Sequence, residues 1–267
     1  MHILENRRRS VILIIALCLM AMMPVAEAAS FDCDAAKFKV EHLICTDQGV
    51  NKLDDRLDEL YGSTMETARD QAAFASAQRA WLIQRNSCAD ATCLTKSYNE
   101  RIAALAKVPV AEWLIYHDAT LGISFDYLAN RQVKPCPKDT GHGPLCVALM
   151  GRRMSHNEYL IAFDVKNEPL DRAAGDSAIF AKVNGKWIAD AGPGGPVEAE
   201  SVSGHGWTGI TADIVCNIQD ALGTHAAGDC LWEVISNGKR SMIADTQGVF
   251  GTDEYTARSL ASVRFGP

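Results

Sequence analysis

The fold is decided at residues 101–128, RIAALAKVPVAEWLIYHDATLGISFDYL, where the spacing of apolar residues changes from one period to another. Up to Lys107, Leu94, Tyr98, Ile102 and Leu105 recur four, four and three residues apart, which puts them on one face of a helix. After it, Leu121, Ile123, Phe125 and Tyr127 alternate, which puts them on one face of a strand. Two periods in one chain predict an α+β protein: a helical domain over 29–107, a linker over 108–115 containing VPVAEW, and a strand-rich domain over 116–267.

Towards the N-terminus, Ala36, Val40, Leu43 and Ile44 mark a short amphipathic helix over 35–44. A longer stripe follows: Leu53, Leu57, Leu60, Tyr61, Thr64 and Ala68, continued by Phe74, Gln78, Trp81 and Leu82. No proline interrupts Val50 to Arg85, so one rod of roughly 50 Å is expected. With the helix after the NSCADATC turn, this makes a disulfide-bonded, antiparallel three-helix bundle.

Towards the C-terminus, YLIAFDV, AIFAKV, KWIAD, WTGITADIVC, CLWEVIS and RSMIAD read as further strands. Asn184-Gly185 and Asn237-Gly238 are hairpin signals, and GPGGP at 192–196 is a loop. A short helix is expected from Asp253 to Leu260, with ASVRF closing the sheet. The second domain is thus expected to be an antiparallel-rich α/β sandwich.

The first 28 residues have the parts of a secretory signal peptide: basic MHILENRRRS, apolar VILIIALCLMAMMPVA, then AEA, with cleavage expected after Ala28. Cys18 is a poor lipid-anchor site because Leu17 precedes it, and Arg8-Arg9 lacks the rest of a twin-arginine signal. The expected location is periplasmic or secreted, with no stable membrane insertion after cleavage. Taking Arg7, Arg8, Arg9, Glu5 and Glu27 from the 26 basic and 33 acidic residues leaves 23 and 31, a charge of −8. That balance disfavours nucleic acid and anionic membranes and favours a cationic protein partner.

Eight cysteines remain: Cys33, Cys45, Cys88, Cys93, Cys136, Cys146, Cys216 and Cys230. An even set in an exported chain predicts disulfides. A helix over 35–44 is about 15 Å long, against at most about 7 Å between the Cα atoms of a cystine. Cys33 and Cys45 therefore pair only if that helix is shorter or the chain before it folds back. Pairing Cys88 with Cys93 is locally easy, and crossed pairing within the four is the alternative. Cys136 with Cys146 closes KPCPKDTGHGPLC, and Cys216 with Cys230 closes NIQDALGTHAAGD; crossed pairs such as Cys136 with Cys230 stay open.

Cys136, His142 and Cys146 have the donor chemistry of a zinc site but no evident fourth ligand, so a disulfide is preferred and no metal is expected. HExxH, GxSxG, GxGxxG and phosphate-loop patterns are absent. The histidines His42, His117, His142, His156, His205 and His225 are scattered, and Ser203-Gly204-His205-Gly206 reads as a surface loop. No catalytic residue and no cofactor are expected.

The pattern FDC…A…E..IC, LDDRLDELY, QRAWLIQRNSC….CL…Y..RI..L resembles the LprI-type lysozyme inhibitor domain over about 75 residues. Gly49 stands where a Glu is more usual in that family, which leaves the start of the second helix weakly capped. The resemblance implies an exported, non-catalytic binding protein, a lysozyme inhibitor or related envelope-protective protein acting by occlusion. The alternative is an envelope structural or stress module whose C-terminal domain binds a protein or small ligand. The implied partner is a lysozyme or another cationic protein. Candidate contacts are Asp54, Asp55, Asp58 and Glu59, with Glu66 nearby, and Arg79 and Arg85; the competing expectation is that the acids are a solvated helix face and that Trp81 with its arginines braces the bundle. YHDATLGISFDYLANRQV and YTARSLASVRF resemble the Mog1/PsbP-like α/β sandwich, a scaffold that by itself names no ligand.

Overall fold

The computed structural model describes residues 30–138, 140–151, 154, 158–190, 194–220, 223–247 and 253–266; the side chains of 217–220 and 223–227 are left aside. The leader, His156 and the start of GPGGP lie outside the described residues. Among the described residues no helix is long and apolar enough to cross a membrane. The chain is α+β, with helices first and antiparallel sheets after them. It divides into two compact units: one runs to Ser63 and resumes over Ala77–Lys107, and the other comprises Thr64–Ser76 and Val108–Pro267.

In the helical unit, a 3-10 turn at Cys33–Ala35 precedes α1 (Lys39–Thr46). The helix expected from Ala35 starts at Lys39, because the Glu41 carboxylate accepts from the N–H groups of Lys37 (2.7 Å) and Phe38 (3.0 Å) and fixes the first turn there. The shorter helix and the turn before it bring the Cys33 and Cys45 Cα atoms to 5.8 Å, and the two are bonded. Cys88 is bonded to Cys93. α2 (Gln48–Thr67) begins immediately after α1. Asp47 accepts from the N–H of Gly49 (2.9 Å) and Val50 (3.0 Å), so α2 is capped from a residue just ahead of Gly49. Val40, Ile44, Val50, Leu57, Trp81, Leu94, Tyr98 and Leu105 make the apolar centre of this unit.

The expected rod from Val50 to Arg85 is two helices, α2 and α3 (Gln71–Arg85), followed by α4 (Ala91–Leu105). The break has a backbone cause. Ala68 forms an antiparallel bridge with Val110; Arg69 donates its N–H to Pro109 O (2.8 Å), and Ala111 donates to Thr67 O (2.7 Å). Those peptide groups leave the helical ladder, and the Asp70 carboxylate then caps α3 at the Ala73 N–H (2.9 Å).

The strand-rich unit is built on a seven-stranded antiparallel sheet in the order β3-β4-β5-β12-β11-β10-β9. Its strands are β3 (Gln132–Pro135), β4 (Cys146–Met150), β5 (Ile161–Lys166), β9 (Glu200–Ser203), β10 (Thr208–Asp220), β11 (Gly223–Ser236) and β12 (Ser241–Thr246). One face packs Val147, Leu149, Ile161, Phe163, Ile235, Met242 and Ala244 against Ile123, Phe125, Leu260 and Val263. These last come from a three-stranded sheet, β1 (Trp113–Asp118), β2 (Ile123–Leu128) and β13 (Arg264–Phe265), from α6 (Glu254–Ala261) and from the residues just after it. The opposite face packs Ile210, Ala212, Ile214, Val234 and Ile243 against Ala173, Ala174, Phe180 and Ala189, supplied by α5 (Leu170–Asp176), β6 (Phe180–Val183) and β7 (Lys186–Ala189). The two-residue β8 (Val197–Glu198) pairs with β7. Alternation along β12 assigns Met242 and Ala244 to one face and Ile243 to the other, so both faces of the sheet are covered.

Strand β1 begins at Trp113, inside the stretch expected to be linker. NIQDALGTHAAGD, expected as a loop, continues the β10–β11 hairpin as far as Asp220 opposite Gly223, with a register shift between Val215 and Asn217. Cys216, at that shift, is bonded to Cys230. Asn184 (φ 52°) and Gly185 (φ 82°) turn β6 into β7, the left-handed pair that a two-residue hairpin requires. α6 is capped by Asp253, which accepts from the Tyr255 and Thr256 N–H groups.

Within this unit the Arg131 guanidinium, 2% exposed, donates to both carboxylate oxygens of Asp253 (3.0 and 3.1 Å) and to Thr256 Oγ1 (2.8 Å), and lies 3.6 Å from Glu66 Oε2. Burial alone would raise the Asp253 pKa; the Arg131 charge and the Thr256 bonds outweigh it and hold the carboxyl below its ordinary value.

Candidate binding surface and buried polar centres

The six candidate contact residues separate by exposure. Asp58, Glu59 and Arg79 are exposed, and Asp55 is half-buried. Asp54 is buried and Arg85 half-buried, and both are engaged inside the helical unit. Asp54 accepts the Tyr98 hydroxyl at 2.6 Å and both the N–H (3.1 Å) and hydroxyl (2.7 Å) of Ser30, while Arg85 donates to Tyr98 Oη at 3.1 Å and sits over the Trp81 ring at 5.5 Å. Trp81 meets Tyr98 edge-on at 5.2 Å and donates to Ser97. Burial, then the hydrogen bond and charge of Asp54, push the Tyr98 phenol well above its usual range. Asp54, Tyr98, Arg85 and Trp81 therefore tie α2, α3 and α4 together. Their helical spacing identified the face, but not that an acid on α2 lies beneath it. Tyr98→Phe is expected to cost about 1–3 kcal/mol by leaving Asp54 Oδ1 short of a donor, measured by urea unfolding. A loss under a few tenths of a kcal/mol would show that the bond contributes little.

A second buried centre lies in the strand-rich unit and was missed from sequence. Asp245 on β12, 3% exposed, accepts Tyr159 Oη at 2.5 Å through one oxygen and meets His142 Nε2 at 2.7 Å through the other. Thr140 Oγ1 is 2.7 Å from His142 Nδ1 and also 2.7 Å from Pro137 O. With the threonine proton on that carbonyl, Nδ1 is left to donate to Thr140, an arrangement that favours an imidazolium paired with Asp245. Burial opposes that charge, but the Asp245 bond and the charges of Asp245 and Asp164 outweigh it and raise the pKa. Burial, then the charge and hydrogen bond of Asp245, push the Tyr159 phenol far above its ordinary value. The available signal was an aspartate at an inward position in each of two otherwise apolar strands, YLIAFDV and RSMIAD.

Cys136 and Cys146 are bonded beside this centre, with His142 in the loop between them. Their ligand atoms lie within 4.8 Å of one another, but both sulfurs belong to the cystine. Of the other described histidines, His42 in α1, His117 on β1 and His205 in a turn are exposed, each on a separate element. Glu233 on β11, 7% exposed, faces the core shared with β1 and β2; burial pushes its carboxyl up to about 7 against the opposing effect of the Thr211 hydroxyl.

A polar groove of about 770 Å³ opens beside the α2–α3 break, lined by Arg69, Gln71, Gln132, Lys134, Met150 and Met154. Asn130 also lines it, donating to the carbonyls of Glu66 (2.8 Å) and Ala68 (3.1 Å).

Comparison with known proteins distinguishes the two parts of the chain. Lipoprotein LprI of Mycobacterium bovis and of Mycobacterium tuberculosis are each 33% identical over 81 residues, a match covering 29% of this chain and 41% of the mycobacterial protein. Among solved structures, the cyanobacterial PsbP protein CyanoP of Synechocystis is 13% identical with a TM-score of 0.36, covering 59% of this chain and 95% of that one. A Bacteroides thetaiotaomicron protein is 9% identical with a TM-score of 0.37, covering 57% of this chain and 48% of that one. Similarities of that size do not establish a shared fold. The family model described as "Lysozyme inhibitor LprI" matches residues 33–105, so the helical part of the chain is similar to that family and the strand-rich remainder lies outside the match.

Proposed function

We propose that this is an exported, non-catalytic binding protein whose LprI-like domain restrains a lysozyme or another cationic protein by occlusion. The observation that carries this reading is the family match over residues 33–105. Charge supports it: the sequence carries a net −7, and Asp58 and Glu59 are exposed on α2 while Asp54 is engaged internally. An acidic surface accelerates encounter with a basic partner and makes it sensitive to salt. The test is inhibition of a lysozyme by the whole exported chain at micromolar concentration, with Asp58→Lys/Glu59→Lys as the comparison. The reversal is expected to slow association about tenfold at low salt while leaving the unfolding midpoint nearly unchanged. No inhibition by the unaltered protein removes the lysozyme reading; inhibition that survives the reversal moves the contact away from this stretch of α2.

A further inference from the structure

We infer that, once a dithiol has reduced the Cys136–Cys146 cystine, the two thiolates and the His142 imidazole hold one Zn²⁺ ion, with Asp164 as the fourth donor. A tetrahedral zinc ion places sulfur ligands about 3.8 Å apart, and the three donor atoms already lie within 4.8 Å of one another. The backbone keeps the thiols together after the S–S bond opens, because Cys136 donates its N–H to Cys146 O at 3.2 Å and Cys146 is a strand residue of the central sheet. The proposed fourth donor, Asp164 on the neighbouring strand, lies outside that cluster of three and would close on the metal as it binds. Asp164 lies directly opposite Cys146 across β4 and β5 and is 4% exposed. Its Oδ2 accepts from Gly143 N–H (2.9 Å) and Lys166 Nζ (2.7 Å), while its Oδ1 is buried without a hydrogen-bond partner.

The surroundings of His142 suit a ligand. A metal-bound histidine usually gives its other ring N–H to a carboxylate, which fixes the ring. Asp245 holds Nε2 in that way and is itself fixed by Tyr159, so Nδ1 is the nitrogen left for the metal, which would take the place of Thr140. Charge points in the same direction. Opening the cystine to two thiolates and giving up the His142 proton make a buried site three charges more negative, and a dication offsets two of them. Two thiolates, an imidazole and a carboxylate suit zinc better than calcium or magnesium.

The chemistry balances. The dithiol transfers two electrons and two protons to the S–S bond and becomes a disulfide, while Cys136 and Cys146 become thiols. Zn²⁺ then displaces the two thiol protons and the Nδ1 proton of His142, releasing three protons to solvent.

The test measures zinc bound per whole chain by competition with a chromophoric chelator, with and without a dithiol, while far-UV circular dichroism follows the fold. Cys136→Ser/Cys146→Ser retains the other six cysteines, so any zinc they hold appears in that variant too. The unaltered chain is expected to bind one more equivalent than the double variant when reduced, and the same amount when oxidised. His142→Ala is expected to remove that equivalent, Asp164→Asn to weaken it, and Asp245→Asn, which keeps the side-chain shape, to weaken it 10- to 100-fold, about the loss usual for an outer partner. Equal zinc in the reduced double variant and the reduced wild type overturns the inference, as does zinc retained in folded His142→Ala. A reduced chain that unfolds as readily with zinc as without it overturns it equally.

Discussion

Replacing Arg131 with methionine is expected to lower the stability of the strand-rich unit by about 3 kcal/mol, because Asp253, only 24% exposed, loses its guanidinium partner, while Glu66, 46% exposed, stays in contact with water. The side chain is 2% exposed and anchors Asp253 at both oxygens, so methionine fills the space but returns neither charge nor donors. For a unit of this size that loss corresponds to a fall of roughly 10 °C in the unfolding midpoint. Adding Asp253→Asn to the methionine variant is expected to restore part of the loss, since asparagine keeps the cap on α6 without leaving an unpaired charge. The Asp253 pKa is depressed in the folded state, so its contribution is present above the ordinary aspartate pKa and is lost as pH falls through the folded value. The methionine variant should therefore lose less stability than the wild type between neutral and strongly acidic pH. Chemical unfolding of the four combinations measures the coupling; additive losses would mean that the ion pair contributes nothing beyond its separate parts.

The second large effect is a gain. Glu233→Gln is expected to stabilise the protein by about 3 kcal/mol at pH 8 and by little at pH 4, since one unit of pKa corresponds to about 1.4 kcal/mol. Burial raises this carboxyl from 4.5 to about 7 in the folded chain. Below 4.5 the folded and unfolded states are both protonated and burial of the neutral acid costs little. Between 4.5 and 7 the folded state binds more protons, so stability falls as pH rises, and above 7 the full penalty is present. Glutamine never ionises, so its curve lacks that decline. Urea unfolding at several pH values would separate the two proteins progressively above pH 5; curves that run parallel would show that Glu233 stays ionised with a compensating partner.

The order of helices and strands was legible at residues 101–128, since apolar periodicity reports directly which side of an element is buried. Asn184-Gly185 carried its turn for a local reason: both residues accept positive φ. The break between α2 and α3 was not legible in the apolar stripe. Ala68 is buried in a helix or in a bridge alike, and what ends the helix is the backbone of Pro109, Val110 and Ala111, some forty positions away. The cap at the new helix start is Asp70, ahead of QAAF, which accepts from the Ala73 N–H. At the helical site, the sequence placed Trp81 with its arginines as a brace, but Tyr98 read only as part of an apolar stripe and Asp54 as one member of an acidic run. Charge runs record composition along a helix, whereas burial depends on which residue of the run points inward. The centre at Asp245 was illegible because its parts, at 140, 142, 159 and 245, meet only when β12 lies beside β5.

The pairing of β13 with β2 has a consequence for biosynthesis. Arg264 and Phe265 complete a sheet whose other strands end at Leu128, and Val263 and Leu260 fill the core that those strands share. The helical unit uses nothing beyond Lys107, so its two cystines can close while the rest of the chain is still emerging. The strand-rich unit has no such early stage: β1 and β2 must wait, with an apolar face uncovered, until residue 265 has been delivered. A holding factor would therefore act on this protein within that interval, and on its strand-rich unit alone.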